Sequence, residues 1–237
     1  MTEVQLDQHF LKDESIIKEE VELAEIDSKD RVIEIGAGKG VLTKELAKKT
    51  KNLRVFEIDK RFKEELKDIQ EVIFGNCFDY SLEGYNKIVA NIPYSLSETI
   101  LQKAIKENIQ SLVLIVSEGF KEVLESDSKL GIVANLFFDI KVIKKVDRQL
   151  FFPVPKVDSY LIKFIRKKNS KEDEPIIYIL SKDGKIKNAL ISWFVVNGKT
   201  KRQAKEMLKT MKIDKKILDK PVARITSKFI KLIKERL

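Results

Sequence analysis

The chain has 237 residues, 43% of them hydrophobic and 35% charged, with a net charge of +9, which fits one or two soluble domains with a real core. No apolar run approaches the ~20 residues of a membrane span, and a single cysteine and a single histidine exclude an internal disulfide and argue strongly against a Cys/His zinc site. The polar first residues lack the pattern of a secretory signal, so we expect a cytoplasmic protein with no membrane or metal partner.

Positive charge is concentrated in the last third of the chain. Residues 167–237 contain 20 Lys and Arg against 8 Asp and Glu, a balance of +12, which leaves −3 for residues 1–166. Such asymmetry favours a polyanionic partner, most plausibly nucleic acid, although a solvated lysine-rich surface would give the same balance.

Strands alternate with helices along the first part of the chain. The predicted strands cover 31–35, 53–58, 72–74, 88–90 and 112–116, and the predicted helices cover 41–49, 61–67 and 97–106. The last of these strands is continuously apolar, which is typical of parallel strands buried on both faces. This order indicates an α/β fold with a doubly wound, Rossmann-like sheet.

The alternating pattern ends near residue 166. Residues 166–175 are polar and charged and predict a linker, and helices are predicted over 186–196, 201–211 and 228–237. We therefore predict two domains, 1–168 and a small basic α-helical domain at 169–237.

A glycine-rich turn follows the first predicted strand. Gly36, Gly38 and Gly40 let a ligand approach the backbone closely, and Glu57, 21 residues after Gly36, can accept hydrogen bonds from ribose hydroxyls. Dinucleotides prefer a G-x-G-x-x-G spacing with a pyrophosphate at the helix N-terminus. The G-x-G-x-G spacing here, preceded by Glu34, looks like the first motif of S-adenosylmethionine-dependent methyltransferases. A structural turn with incidental glycines is the alternative.

The segment Asn91-Ile92-Pro93-Tyr94 follows the apolar run 87–90. The Asn91 side-chain oxygen and the Ile92 carbonyl can accept the two hydrogens of an exocyclic amine, and Pro93 fixes the turn between them and the aromatic ring. Tyr94 can stack on the base that carries the amine. The segment therefore predicts a clamp for an amino group on a flat base.

Four segments in order resemble the KsgA/Dim family of ribosomal RNA adenine N6,N6-dimethyltransferases. They lie within about residues 5–166 and are Gln8–Leu11, Glu34–Gly38, Asn91–Ser95 and Phe151–Ser159. The resemblance implies a Rossmann-like methyltransferase fold that uses S-adenosylmethionine. It also implies, as substrate, two adjacent adenosines near the 3′ end of small-subunit rRNA, naked or in a pre-ribosomal small subunit. The basic second domain would contact this RNA, and we expect a monomer.

The resemblance also implies roles for individual residues. Those implied in cofactor binding are His9, Leu11, Gly36, Gly38, Glu57, Asn76 and Asn91. Those implied in catalysis are Asn91, Ile92, Pro93 and Tyr94, with Tyr94 and Phe151 on the two faces of the target base.

Three departures from the family pattern leave alternatives open, and one of them is Leu130, where the family has an aromatic residue before Gly131. Asn76 stands where the family has an Asp that accepts from the cofactor's adenine amine, and Ser117-Glu118-Gly119 stands where the family has Gln-Lys-Glu. The alternatives are a large-subunit rRNA adenine methyltransferase, an N6-adenine DNA methyltransferase, an NAD-dependent enzyme, and a non-catalytic RNA-binding or ribosome-assembly factor on the same fold.

Overall fold

The structure is a computed structural model and describes residues 8–236. The first residues, on which the expectation of no secretory signal depends, and Leu237 of the last predicted helix lie outside this range. The chain divides into two compact units. The first comprises residues up to Glu122 together with Phe138–Arg166, and the second comprises Val123–Phe137 together with residues from Lys167 onward.

The first unit is built around a mixed sheet. The strands in its described part are β1 (Phe10–Leu11), β2 (Val32–Ile35), β3 (Leu53–Glu57), β4 (Val72–Phe74), β5 (Lys87–Asn91), β6 (Ser111–Ser117), β7 (Phe138–Val146), β8 (Phe151–Phe152) and β9 (Ser159–Arg166). Seven of these described strands form one sheet in the order β4-β3-β2-β5-β6-β9-β7. Strands β2 to β6 run parallel, and β9 and β7 extend the edge beyond β6 in antiparallel pairing. Separately, β1 pairs with β8.

Three helices of the first unit are α1 (Glu14–Leu23), α2 (Val41–Lys49) and α3 (Ser97–Lys106). Asp13 starts α1 by accepting hydrogen bonds from the backbone N–H groups of Ser15 and Ile16, which are unpaired within a helix. The apolar face of α1 packs into the same core as the central strands. These helices therefore cover a sheet whose central strands are buried, as the continuous apolar runs predict.

The order of the parallel strands creates a crevice between β2 and β5. The chain leaves β2 toward β3 and β4 and then returns to β5, so the direction of winding changes between these two neighbours. Their registered pairing is Val32 with Lys87 and Ile33 with Ile88, at the start of both strands. Open α/β sheets bind ligands at such a switch point, outside the carboxyl ends of the strands.

The second unit is helical. After α4 (Glu118–Glu125), which crosses from the first unit, its described helices are α5 (Lys129–Phe137), α6 (Glu174–Leu180), α7 (Ile186–Val196), α8 (Lys201–Thr210), α9 (Lys215–Leu218) and α10 (Ser227–Lys234). They surround a separate apolar core that includes Ile176, Leu190 and Phe229. Thr200 and Gln203 form a reciprocal capping box at the start of α8.

The division differs from the predicted boundary at 168. Ile132 of α5 belongs to the apolar core of the second unit, with Val133 and Leu136 packed against it, so α5 folds with the later helices although it precedes β7. A single boundary cannot describe this arrangement, because the chain enters the second unit twice. The polar linker at 166–175 marks only the second entry.

One predicted helix is wrong. Instead of a helix over 61–67, the structure has a short 3-10 turn at Lys60–Lys63 in which Phe62 has non-helical backbone angles. Asp59 caps the turn and its carboxylate also pairs with the Arg61 guanidinium, which favours a tight turn over a continued helix. Over residues 8–236, no helix combines the length and hydropathy needed to cross a membrane.

Candidate active site

A cavity of about 370 Å³ opens at the carboxyl ends of the central strands in the first unit. Ligand sites for small molecules typically have volumes of about 300–1,000 Å³. Most of the site residues predicted from the sequence line it, namely His9, Leu11, Gly36, Glu57, Asn76, Asn91, Ile92, Pro93, Tyr94 and Phe151. Segments from six parts of the chain therefore meet at the crevice between β2 and β5.

The two predicted cofactor glycines have different surroundings. Gly36 lines the cavity with φ +78°, and a Cβ on it would lie 3.9 Å from both the Asn91 carbonyl oxygen and Pro93 Cδ. Gly38 is not among the lining residues, and a Cβ there would lie 2.7 Å from Cε1 of Phe10. Gly36 thus sits beside the Asn91 turn, whereas Gly38 gives room to an aromatic ring of β1.

Glu57 connects the glycine turn to the end of β3. One carboxylate oxygen accepts the Gly38 N–H and the other accepts the Asp59 N–H, each at 2.7 Å. Burial raises the pKa of Glu57, and the two backbone N–H groups act against this shift. Each oxygen keeps a further lone pair, so Glu57 can accept additional hydrogen bonds from the cavity that it lines.

Contacts with residues that are distant in the sequence fix the Asn91 turn. Tyr94 shares a hydrogen bond with the Ser159 hydroxyl at 2.5 Å, and its ring stacks on His9 with the centroids 5.9 Å apart. His9 Nδ1 lies 2.7 Å from the Pro153 carbonyl oxygen, which can only accept, so Nδ1 carries the proton. The three segments that contain His9, Tyr94 and Ser159 therefore form one connected wall.

The aromatic pair at β8 differs in exposure. Phe151 lines the cavity but is 2% exposed and belongs to the apolar core. Phe152 also lines the cavity and is 57% exposed. The stacking of a base on Phe151 stays a prediction, and it requires that the ring becomes exposed. The Phe152 ring is already exposed to the cavity.

Asn76 and Ile58 also line the cavity. The Asn76 side-chain oxygen accepts the Phe78 N–H at 3.1 Å and so caps a short 3-10 turn. Ile58 follows Glu57 directly and is an apolar side chain that is 60% exposed. An exposed isoleucine after the acid of β3 is a signal that the sequence carries and that our sequence analysis missed.

Buried acids near the cavity were also missed. Glu34 lines the cavity at 1% exposure, and burial raises its pKa to about 8. In the sequence, the only signal for the burial of this acid is its place at the end of an apolar strand. Among the described residues, no group of three or more His, Cys, Asp or Glu side chains is arranged to hold a metal ion.

The sheet, the switch-point cavity and the acid at the end of β3 together define a Rossmann-like methyltransferase. Comparison with known proteins agrees: the family model described as ribosomal RNA adenine dimethylase matches residues 2–232. The chain belongs to this family, which confirms the resemblance that its four segments show.

Individual relatives support the same assignment. A probable ribosomal RNA small subunit methyltransferase A from Methanococcus maripaludis strain C7 is 32% identical, over 94% of this chain and 88% of the relative. The crystal structure of a dimethyladenosine transferase from Plasmodium falciparum has a TM-score of 0.71 at 24% identity and covers 94% of this chain and 95% of its own. The 23S rRNA methyltransferase ErmE has a TM-score of 0.65 at 24% identity, covering 96% and 99%. The two structural likenesses establish the fold.

Proposed function

We propose that this protein transfers methyl groups from S-adenosylmethionine to the N6 amines of two adjacent adenosines near the 3′ end of small-subunit rRNA, giving dimethyladenosine. The observation that carries the proposal is the convergence of Asn91–Tyr94 with Gly36 and Glu57 on one cavity. Family membership and the name of the Methanococcus relative support the small subunit rather than the large subunit as the substrate.

The residues of the cavity fit the proposed cofactor. Glu57 offers a carboxylate to ribose hydroxyls, Ile58 offers an apolar face to a flat base, and Gly36 keeps its side of the cavity free of a side chain. Asn76 would accept from the adenine amine with the lone pair that its cap leaves free. His9 and Leu11 would line the methionine end. When bound, S-adenosylmethionine supplies an electrophilic methyl group on a sulfonium centre.

Methyl transfer to this amine requires orientation of the amine more than it requires a strong base. The lone pair of an adenine N6 amine is delocalised into the ring, so positioning and charge placement carry most of the catalysis. Asn91 Oδ1 and the Ile92 carbonyl would accept the two N6 hydrogens and turn the nitrogen lone pair toward the methyl donor. Tyr94, with Phe151 opposite it, would hold the base after it leaves its stack.

The partner proposed for the second unit is rRNA. Lys199, Lys201, Arg202 and Lys205 are all exposed around the start of α8, where they can contact phosphates. We propose a monomer that acts in the cytoplasm on naked rRNA or on a pre-ribosomal small subunit.

The direct test is transfer of a labelled methyl group to unmodified small subunits by the natural protein and by Asn91→Ala. We expect the variant to lose at least about 100-fold in turnover, because orientation of the amine is lost, while RNA binding persists. Lys49→Ala, an exposed change on α2, is the control and should transfer normally. Wild-type turnover by Asn91→Ala would refute the assigned role.

A further inference from the structure

Glu20 is an acid in a position where the helix pattern favours an apolar residue. It lies on α1 among Ile16, Ile17 and Val21, which form the buried face of the helix. The side chain is completely buried, at 0% exposure. Neither of its carboxyl oxygens has a hydrogen-bond partner among the residues that the structure describes. Buried carboxyl groups without partners are costly to a fold, so this one calls for an explanation.

The neighbours of Glu20 connect it to the active site. Glu34 of β2 is close enough to raise the pKa of the Glu20 carboxyl beyond the large increase caused by burial, and the Asn91 side chain acts in the opposite direction. Glu34 in turn lies beside the Thr43 hydroxyl and Glu57. Charge repulsion thus links Glu20 of α1 to Glu34 of β2, and Glu34 to Glu57 of β3.

The Asn91 amide lies at the cavity end of this cluster. Its Oδ1 is buried and, like one oxygen of Glu34, has no hydrogen-bond partner within residues 8–236. Asn91 acts on Glu20 as a hydrogen-bond donor, since it lowers the pKa of that carboxyl, and only Nδ2 of an amide can donate. Nδ2 therefore faces Glu20 without a close hydrogen bond, and Oδ1 is the amide atom left to accept from the target amine.

A neutral Glu20 would hold the amide in this orientation. A protonated carboxyl has one O–H donor and one carbonyl acceptor. If the O–H donates to Glu34, the carbonyl oxygen is left to accept Nδ2–H of Asn91. Two carboxyl groups buried together retain a proton at neutral pH because like charges at close range disfavour double ionisation.

We propose that Glu20 is a positioning residue for methyl transfer, which orients the Asn91 amide so that its oxygen faces the target amine. The inference rests on the proposed function, since it uses the role given there to Asn91. Glu20 does not line the cavity and acts through Asn91 alone. A merely structural acid would leave the orientation of Asn91 unchanged when it is replaced.

Three variants test this role. Glu20→Gln keeps a donor and an acceptor, Glu20→Leu keeps the volume without either, and Glu22→Leu makes the same change at an exposed position of α1. Each is measured for melting temperature, for kcat and KM with unmodified small subunits, and for the NMR signals of the Asn91 side-chain amide without substrate.

The expected pattern separates orientation from stability. Glu20→Leu should melt at the wild-type temperature or above it, because a buried acid is removed, and yet lose about tenfold or more in kcat with KM for S-adenosylmethionine little changed. Glu20→Gln and Glu22→Leu should keep kcat within about threefold. The Nδ2 protons of Asn91 should exchange faster with solvent in Glu20→Leu and remain protected in Glu20→Gln.

Two results would overturn the proposal. In the first, Glu20→Leu leaves both kcat and the Asn91 signals unchanged. In the second, Glu20→Leu lowers the melting temperature and kcat together while the Asn91 signals stay unchanged. Absence of transfer by the natural protein would instead refute the proposed function, and the NMR comparison would still decide whether Glu20 orients Asn91.

Discussion

Glu57 combines a structural role with the cofactor-binding role proposed for it. It fixes the turn that contains Gly38 and the turn at Asp59 through 2.7 Å hydrogen bonds, and it lines the cavity at the same time. Because burial raises its pKa, its charge is lost at a higher pH than that of an exposed glutamate. The ionised form is the better acceptor for ribose hydroxyls.

This gives a prediction for cofactor affinity. As the pH falls through the raised pKa of Glu57, the carboxylate becomes protonated, and affinity for S-adenosylmethionine should weaken. Glu57→Gln should bind about 10-fold or more weakly at neutral pH, since hydrogen bonds to charged groups contribute about 1.5–3 kcal/mol. It should also lose the pH dependence.

Calorimetric titration with S-adenosylmethionine between pH 5 and 8 measures both effects. Glu65→Gln, at an exposed position of the same unit, is the control. A Glu57→Gln variant that binds as tightly as the natural protein would remove Glu57 from the site.

The pairing of β1 with β8 is the element that completes the cavity wall. It joins Phe10 to Phe152 and Leu11 to Phe151, and it brings the Phe10 ring onto Gly38. A side chain at Gly38 would meet this ring at 2.7 Å and would have to adopt φ +52°. The glycine is therefore required by packing between elements as well as by its backbone conformation.

Gly38→Ala should accordingly cost more stability than a glycine replacement that introduces backbone strain and meets only the flexible end of a side chain. Backbone strain of this kind costs on the order of 1–3 kcal/mol, and displacement of Phe10 adds to it. Gly84→Ala is the matched control, because Gly84 has φ +80° and its nearest neighbour is the end of the Arg31 side chain at 3.0 Å. Urea unfolding of the two variants compares them, and equal losses would contradict the packing argument.

Local patterns predict elements better than they predict contacts between distant segments. The strands around the glycine turn and the helix over 186–196 follow from periodicity, and the helix over 61–67 fails because the Asp59 cap favours a tight turn. The contact of His9 with Pro153 joins residues far apart in the chain, and no local pattern reports it. The buried placement of Glu20 has the same origin, because its neighbours come from β2 and β5.

The charge of the whole molecule is divided between the two units. The balance of +12 in residues 167–237 falls in a unit with its own apolar core, while the cavity belongs to the first unit. If the second unit binds RNA as proposed, RNA binding and methyl transfer should be separable by mutation.

Salt dependence tests this separation. Replacement of Lys201, Arg202 and Lys205 by Gln should reduce the slope of log affinity for rRNA against log salt by about 2–3, since each phosphate contact contributes about 0.7–0.9. Affinity for S-adenosylmethionine should not change. Gln replacements at the exposed Lys48, Lys49 and Lys51 of the first unit serve as the control, and equal slopes for the two variants would contradict a phosphate-binding role for α8.

The product formed on the ribosome tests the proposed reaction most directly. Unmodified small subunits are incubated with the protein and S-adenosylmethionine, and the modified nucleosides are then identified and located in the rRNA by mass spectrometry. We predict N6,N6-dimethyladenosine at two adjacent positions near the 3′ end, formed by the natural protein and absent with Asn91→Ala. Methylation elsewhere, or of large-subunit rRNA instead, would contradict it.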